Sequence, residues 1–206
     1  MDEMGLAILR GQTVTLRSLA AADAVAIAAA ASESRQHFAY IRVPDGVEEA
    51  QRYIETALAD REVGRRLPFA IVWQDRLVGS TSYLDFQRWR WPVGSPLHRT
   101  DHPDAVEIGS TWLAASAQRT RCNTEAKHLL LSHAFDVWHV HRVSLKTDER
   151  NATSRRAIER LGAMFEGVRR ADMPAPDGSV RNSAYYSILR AEWPAVRKKL
   201  QDALAR

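Results

Sequence analysis

The sequence predicts an α/β protein of the α+β kind: one mixed central sheet of about seven strands flanked by helices. Three observations predict it. The apolar period switches between helical and alternating several times along the 206 residues. Clusters of turn-forming residues separate the periodic segments. The order that emerges, β-α-α-β-β-β-α-β-α-β-β-α, places strand pairs next to strand–helix–strand units, which calls for a mixed sheet.

The elements follow in order. Thr13 to Arg17 alternates β-branched or apolar residues with polar ones and reads as the first strand. Ala20 to Ser34 is alanine-rich and reads as a helix, with Ser18 as candidate cap. Val47 to Val63 carries Tyr53, Ile54, Ala57 and Leu58 at helical spacing and ends at Gly64. Pro68 to Trp73 and Leu77 to Phe86 alternate as two strands around a Gln74-Asp75-Arg76 turn. Gln87 to Asp104 has no period and holds Trp89 and Trp91, a loop long enough to be a binding loop. Those tryptophans cap a pocket, serve an interface or fold back on the core.

Ala105 to Ala114 is the central strand. The polar loop Ser116 to Asn123 leads into a helix from Thr124 to Trp138, with Ala126, Leu129, Leu130, His133, Ala134 and Val137 on its apolar face. His141 to Thr147 is a strand, and Asn151 to Leu161 is a helix stopped by Gly162. Ala163 to Asp172 and Val180 to Leu189 are strands joined by Pro174-Ala175-Pro176-Asp177-Gly178. Ala191 to Ala205 closes as a helix with Pro194 in its first turn. No repeat, low-complexity tract or linker interrupts residues 1–206, so a single domain is expected.

Composition narrows the function classes. The lone cysteine, Cys122, excludes an intrachain disulfide framework and a four-cysteine zinc site. His98, His102, His139 and His141 lack an accompanying ligand pattern, so no metal site is expected. Met1 to Arg10 has no signal-peptide core, and no apolar run approaches the ~20 residues of a membrane span, so a cytoplasmic protein with no membrane partner is expected. The basic residues number 29 against 25 acidic, and 25 of the 29 are arginine. Arginine suits bidentate contact with phosphate. The arginines are scattered from Arg10 to Arg206 with no stripe, which argues against nucleic acid.

Chemistry concentrates between Ala105 and Val168. A strand runs through a short loop into a helix whose first turn is Cys122-Asn123-Thr124-Glu125. Free N–H groups at a helix N-terminus make an anion site. Arg119 and Arg121 stand there although cations oppose the helix dipole, which favours an anionic partner. The next strand ends near Asn151, a natural N-cap, and Ser154 falls in the first helical turn, facing the same crevice. Open α/β sheets bind ligands at the carboxyl ends of their strands, where both features fall.

These segments resemble the GCN5-related N-acetyltransferase superfamily, and within it the RimJ/RimL-like branch of ribosomal-protein N-terminal acetyltransferases. The carriers are Glu107-Ile108-Gly109, Gln118-Arg119-Thr120-Arg121-Cys122-Asn123-Thr124-Glu125-Ala126-Lys127, His141-Arg142-Val143, Thr147-Asp148 and Asn151…Ser154…Leu161-Gly162-Ala163. The resemblance implies the fold of that superfamily and a transfer of acetyl from acetyl-CoA to a primary amine, by direct attack in a ternary complex. It implies a pyrophosphate site on the backbone of Gln118 to Asn123, extended by Thr124. Arg121 and Asn123 stand where relatives have small residues, so close backbone approach requires right-handed helical angles at Arg121. Cys122 lies in that loop, where oxidation or alkylation would block the cofactor.

The resemblance further places the thioester and pantetheine arm along Ile108 to Leu113, ending at Trp112 and Leu113, with Asn151 and Ser154 opposite and Arg155 beside the phosphates. Relatives carry a tyrosine acid four residues beyond Ser154; here that residue is Ile158, so Ser154 is named as the group that hydrogen-bonds the leaving thiolate. Glu107, beside the thioester, is the base, directly or through water; its bland alternative is a buried ion pair with an arginine. Trp89, Trp91, Tyr83, Asp85 and His37 are the substrate-contact candidates. The acceptor is a protein or peptide N-terminus or a small amine, and a homodimer is an assembly open to the chain. A non-catalytic acyl-CoA binder or sensor on the same fold is the alternative.

Overall fold

The computed structural model describes residues 8–98 and 101–205. Its elements are β1 (Ile8–Arg10), β2 (Val14–Ser18), α1 (Ala24–Ser32), α2 (Gly46–Glu62), β3 (Arg66–Trp73), β4 (Arg76–Gln87) and β5 (Ala105–Leu113). There follow α3 (Cys122–Ser132), β6 (Arg142–Asp148), α4 (Ala152–Leu161), β7 (Met164–Pro174), β8 (Val180–Leu189) and α5 (Trp193–Ala205). The strands form one sheet of eight in the order β1-β2-β3-β4-β5-β6-β8-β7. Among the described strands only the β5–β6 pair is parallel, which makes the sheet mixed as expected. No helix among the described residues is long and apolar enough to cross a membrane.

Local chemistry explains most boundaries. Gln74 and Asp75 both take positive φ, 51° and 59°, so β3 and β4 join through a two-residue turn whose twist matches the strands. Asn151 caps α4 by accepting the Ser154 N–H at 3.0 Å. Gly162 closes α4 at φ 103°, a left-handed position where a side chain would also crowd Val196. On β4, alternate side chains diverge. Thr81 and Tyr83 reach α3, whereas Ser82 accepts from the Arg66 guanidinium. Leu16, Ile27, Phe69, Ile71, Leu130 and Ile188 are fully buried in the core, each worth about 1.5–3 kcal/mol by transfer.

Several boundaries differ from the sequence reading. The eighth strand, β1, is not expected from sequence: three residues are too short to show a period. Ser18 ends β2 and is not a cap. A 3-10 turn at Ala21–Asp23 precedes α1, and the Asp23 carboxylate accepts the Ala20 N–H at 2.8 Å while gripping Arg17. The helix expected to reach Trp138 leaves α geometry at Ser132 and continues as a π-helical turn over His133–Val137.

Candidate functional site

β5 is the axis of the site. It pairs with β6 only from Ala105 to Glu107, against Arg142 to Ser144. From Ile108 onward the two parallel strands part, and among the described residues that edge of β5 has no strand partner on the β6 side. On its other side β5 carries a bulge: Ser82 faces Gly109 and Ser80 faces Trp112, so Ser110 and Thr111 together oppose Thr81. Ser110 takes φ 48° to make it, a conformation that costs a non-glycine residue about 1 kcal/mol or more. A Cβ at Gly109 would lie 2.7 Å from Glu107 Oε1 and 2.9 Å from Leu84 Cδ1, so a side chain here would push the ends of both aside.

Two helices start at the carboxyl ends of these strands, α3 after β5 and α4 after β6. Arg121, preceding α3, has φ −72° and ψ −10°, the right-handed geometry that the loop requires without its glycine. The Thr120 hydroxyl accepts the Cys122 N–H at 3.1 Å and donates to Ala117 O at 2.7 Å. The amides of Asn123 and Thr124 have no acceptor among the described residues, so the N-terminus of α3 keeps open donors for an anion. Arg119 takes φ 59° and is exposed. Beside it, Ser34, Gln36, His37, Ala115, Gln118 and Arg119 line a cleft of about 310 Å³. The Gln118 amide crosses back to donate to Leu113 O at 2.8 Å, tying the loop to the end of β5. These features fit the pyrophosphate and extended arm of a CoA thioester.

Glu107 is 5% exposed and sits where β5 leaves β6. Its Oε2 is 3.1 Å from Lys146 Nζ on β6, so the ion pair expected as its alternative role exists, with a lysine in place of an arginine. Burial raises the Glu107 carboxyl above the ordinary range, against the pull of Lys146, and Asp85 adds to the rise. Lys146 lies over the Tyr185 ring at 5.6 Å, and the Tyr185 hydroxyl donates to Asp172 at 3.3 Å. Tyr185 also lines a groove of about 300 Å³ with Glu166, Gly167, Val168 and Arg169 on β7 and β8. Across the splay, the Ser154 hydroxyl has no protein partner among the described residues.

The structure thus gathers Glu107, Ile108, Trp112, Leu113 and the Gln118–Thr124 loop along β5 and its exit, with Asn151 and Ser154 at the end of β6. Other expected residues are placed differently. Arg121 turns its guanidinium away, donating to Leu204 O of α5 at 2.7 Å. Arg155 folds back to donate to Tyr186 at 2.9 Å and lies over Phe165, so its cation is committed to β8 and β7. Tyr83 is wholly buried with its hydroxyl on Leu130 O at 2.5 Å, and belongs to the core, out of reach of a substrate. Ile158 is likewise buried.

Trp89 and Trp91 pack on each other and on His141, and both bond Asp104, through the Trp89 N–H at 2.6 Å and the Trp91 indole at 2.8 Å. Asp104 and His141 stand at the N-terminal ends of β5 and β6, the end opposite the splay. The pair folds back on the protein and does not cap the crevice. His37 faces Gln118 and Arg119 in the cleft by the phosphate loop, apart from Asp85, which is exposed on β4 near Glu107. Cys122 is fully buried and its thiol is pushed up to about 12 by burial, so the expected oxidation or alkylation has no accessible thiolate. No group of three or more potential ligands among the described residues is placed to hold a metal ion.

Sequence reading missed Lys127 and Lys146. Lys127 on α3 is 5% exposed, donating to Thr111 Oγ1 at 2.6 Å and Thr81 Oγ1 at 3.3 Å. A signal was available: Lys127 shares the i, i+3, i+4, i+7 face of Leu130, Leu131 and Ala134, all buried.

A mixed sheet whose one parallel pair among the described strands splays beside an open helix N-terminus is a fold this chain shares with solved acetyltransferases. The chain belongs to the acetyltransferase (GNAT) domain family, whose model matches residues 13–164. It is 32% identical over 98 residues to YdaF of Bacillus subtilis (strain 168), a protein named for ribosomal N-acetylation; that match spans 47% of this chain and 52% of YdaF, about half of each. A solved acetyltransferase structure from T. thermophilus is 32% identical with a TM-score of 0.79, covering 96% of this chain and 97% of that one. A GCN5-related N-acetyltransferase from Brucella melitensis is 28% identical at a TM-score of 0.80, covering 95% and 84%. Mycobacterium smegmatis RimJ, solved with CoA-disulfide, shares the fold at 22% identity and a TM-score of 0.75, covering 96% and 91%.

Proposed function

We propose that the protein is an acetyl-CoA-dependent N-acetyltransferase acting on a primary amine, working as a single domain over residues 1–206. The observation that carries this reading is the parting of β5 from β6 immediately after a buried carboxylate, Glu107, with the open α3 N-terminus at the far end of the same strand. When bound, acetyl-CoA supplies an activated acyl group on a thiolate leaving group. The Asn123 and Thr124 amides and Arg119 hold its phosphates, and the free edge of β5 from Ile108 to Leu113 holds the extended arm. Glu107, with its raised proton affinity, takes the proton that the acceptor ammonium must lose before it attacks. The Ser154 hydroxyl, free of protein partners, hydrogen-bonds the departing sulfur. The acceptor enters from the Tyr185–Arg169 groove and is a protein or peptide N-terminus or a small amine; the ribosomal N-acetylation in YdaF's name supports a protein acceptor.

The test is a panel of amines and N-terminal peptides incubated with acetyl-CoA and read by mass spectrometry, alongside calorimetry with CoA. A +acetyl product and saturable CoA binding are expected; absence of CoA binding overturns the reading. One observation favours the alternative of a non-catalytic acyl-CoA sensor: Ile158 is buried where relatives carry a tyrosine acid. CoA binding with no acetylated product across the panel would support that alternative.

A further inference from the structure

Lys127 is the one lysine among the described residues whose ammonium is wholly inside the protein and has no carboxylate beside it. Its partners are two threonine hydroxyls, Thr111 Oγ1 at 2.6 Å and Thr81 Oγ1 at 3.3 Å, which bond each other at 2.8 Å. The charged groups of the packed elements are engaged elsewhere: Arg197 on α5 pairs with Asp136 of the π-helical turn, and Arg17 on β2 pairs with Asp23. Glu125 on its own helix is bound to Thr13, and Glu107 on β5 is paired with Lys146. On β4, Tyr83 is bound to Leu130 O and Asp85 accepts from Gln87. His128 on α3 lies against Trp193, and Cys122 is buried and un-ionised. A lone ammonium in such a place is costly, because burial without a counter-charge disfavours the charged form. Burial brings its pKa down to about 7, so it changes charge in the ordinary working range.

Location gives that cost a use. Thr81 and Thr111 are the residues that face each other across the β5 bulge, and the Thr111 hydroxyl also reaches Gly109 O at 3.3 Å. Lys127 therefore joins α3, whose N-terminus carries the open amides, to the bulged and splayed part of β5. We propose that Lys127 is a positioning residue for acyl transfer, its ammonium fixing the bulge through Thr111 and Thr81 and placing a positive charge under the strand where a thioester carbonyl gains negative charge. This inference rests on the acetyltransferase reading above. Positive charge fixed in a dry site before the reaction stabilises such a developing charge far better than water does.

The test compares wild type with Lys127→Met, which keeps the length of the side chain and removes the charge. Turnover is expected to fall by about 10- to 100-fold, with CoA affinity by calorimetry within about two-fold. The melting temperature is expected to hold or rise, since a buried unpaired charge is gone. The ratio of wild-type to variant turnover is expected to shrink as pH rises through about 7, where the wild-type amine loses its proton. In the unliganded protein, NMR of the lysine ε-positions is expected to show one resonance titrating near 7 that is missing from the variant. Thr111→Val, which retains the lysine, is expected to lower turnover as well, and carries the test if Lys127→Met does not fold. An active wild type with a variant of equal turnover, or a pH-independent ratio with a lowered melting temperature, overturns the role of Lys127 alone. A wild type that binds CoA yet acetylates nothing overturns the acetyltransferase reading and this inference together.

Discussion

Lys127 and Lys146 flank the same strand and are handled in opposite ways. Lys146 meets the Glu107 carboxylate at 3.1 Å and the face of Tyr185, and these partners raise its pKa despite partial burial. Lys127 meets two hydroxyls and, among the described residues, nothing anionic, and its pKa falls to about 7. One residue type thus yields a locked cation on one side of β5 and a titratable amine on the other. The difference teaches that the surroundings decide what a buried lysine does. A carboxylate partner makes charge permanent, and its absence leaves protonation free to respond to pH.

The largest expected effect breaks the locked pair from its acidic side. Glu107→Gln removes the proposed base and leaves Lys146 without its partner. Turnover is expected to fall by about 100-fold or more, the range for a lost general base, with CoA affinity unchanged in calorimetry. A variant with near-normal turnover would reduce Glu107 to the ion pair alone. Lys146→Met breaks the same pair from the other side. It leaves Glu107 buried without compensation, so its proton affinity should climb further, and the acid limb of the pH–rate profile should move to higher pH. Stability is expected to drop by about 2 kcal/mol in urea melts, less than for a fully buried pair because Lys146 retains some contact with solvent.

A smaller effect sharpens the contrast through pH and stability. The folded-state pKa of Lys127 lies below the unfolded value, so between about 7 and the ordinary lysine range the unfolded chain binds more protons. Stability from this group is therefore lowest below pH 7 and rises with pH across that window. Lys146 has the opposite sign: its raised pKa contributes stability present at neutral pH and lost only above the ordinary lysine range. Denaturant melts from pH 6.5 to 9 should show a rising component in wild type that Lys127→Met abolishes and Lys146→Met retains. A Lys127→Met protein with the wild-type slope would show that the amine is not the titrating group.

How much of this was legible in the sequence depends on range. Most helix and strand periods, the Gln74–Asp75 turn, the Asn151 cap and the Gly162 stop are local signals and were readable; the three residues of β1 and the π-helical turn after Ser132 were not. The resemblance carried by Glu107-Ile108-Gly109 and the Gln118–Lys127 run located the splay and the helix that bounds it. Long-range partners were not readable. That Arg121 would reach Leu204, Arg155 would reach Tyr186, and Trp89 and Trp91 would fold onto Asp104 and His141 depends on where distant elements meet. The same limit turned the partner of Glu107 from an arginine into Lys146, about 40 residues along the chain by sequence.

The smallest effect belongs to a buried polar group on β4, and it separates core from site. Tyr83 lies two residues beyond Thr81 on β4 and faces α3 as Thr81 does, but its hydroxyl is satisfied by Leu130 O and carries no charge at neutral pH. Burial pushes that phenol well above its ordinary range, so unlike Lys127 it cannot change charge under working conditions. Tyr83→Phe removes one neutral hydrogen bond, while the Leu130 carbonyl remains within a helix that continues to use it. Stability is expected to fall by about 1 kcal/mol, with kcat and KM for both substrates unchanged. A rise in the KM for the amine would return Tyr83 to the substrate site; a loss of stability with intact kinetics places it in the core, where its burial and its single partner put it.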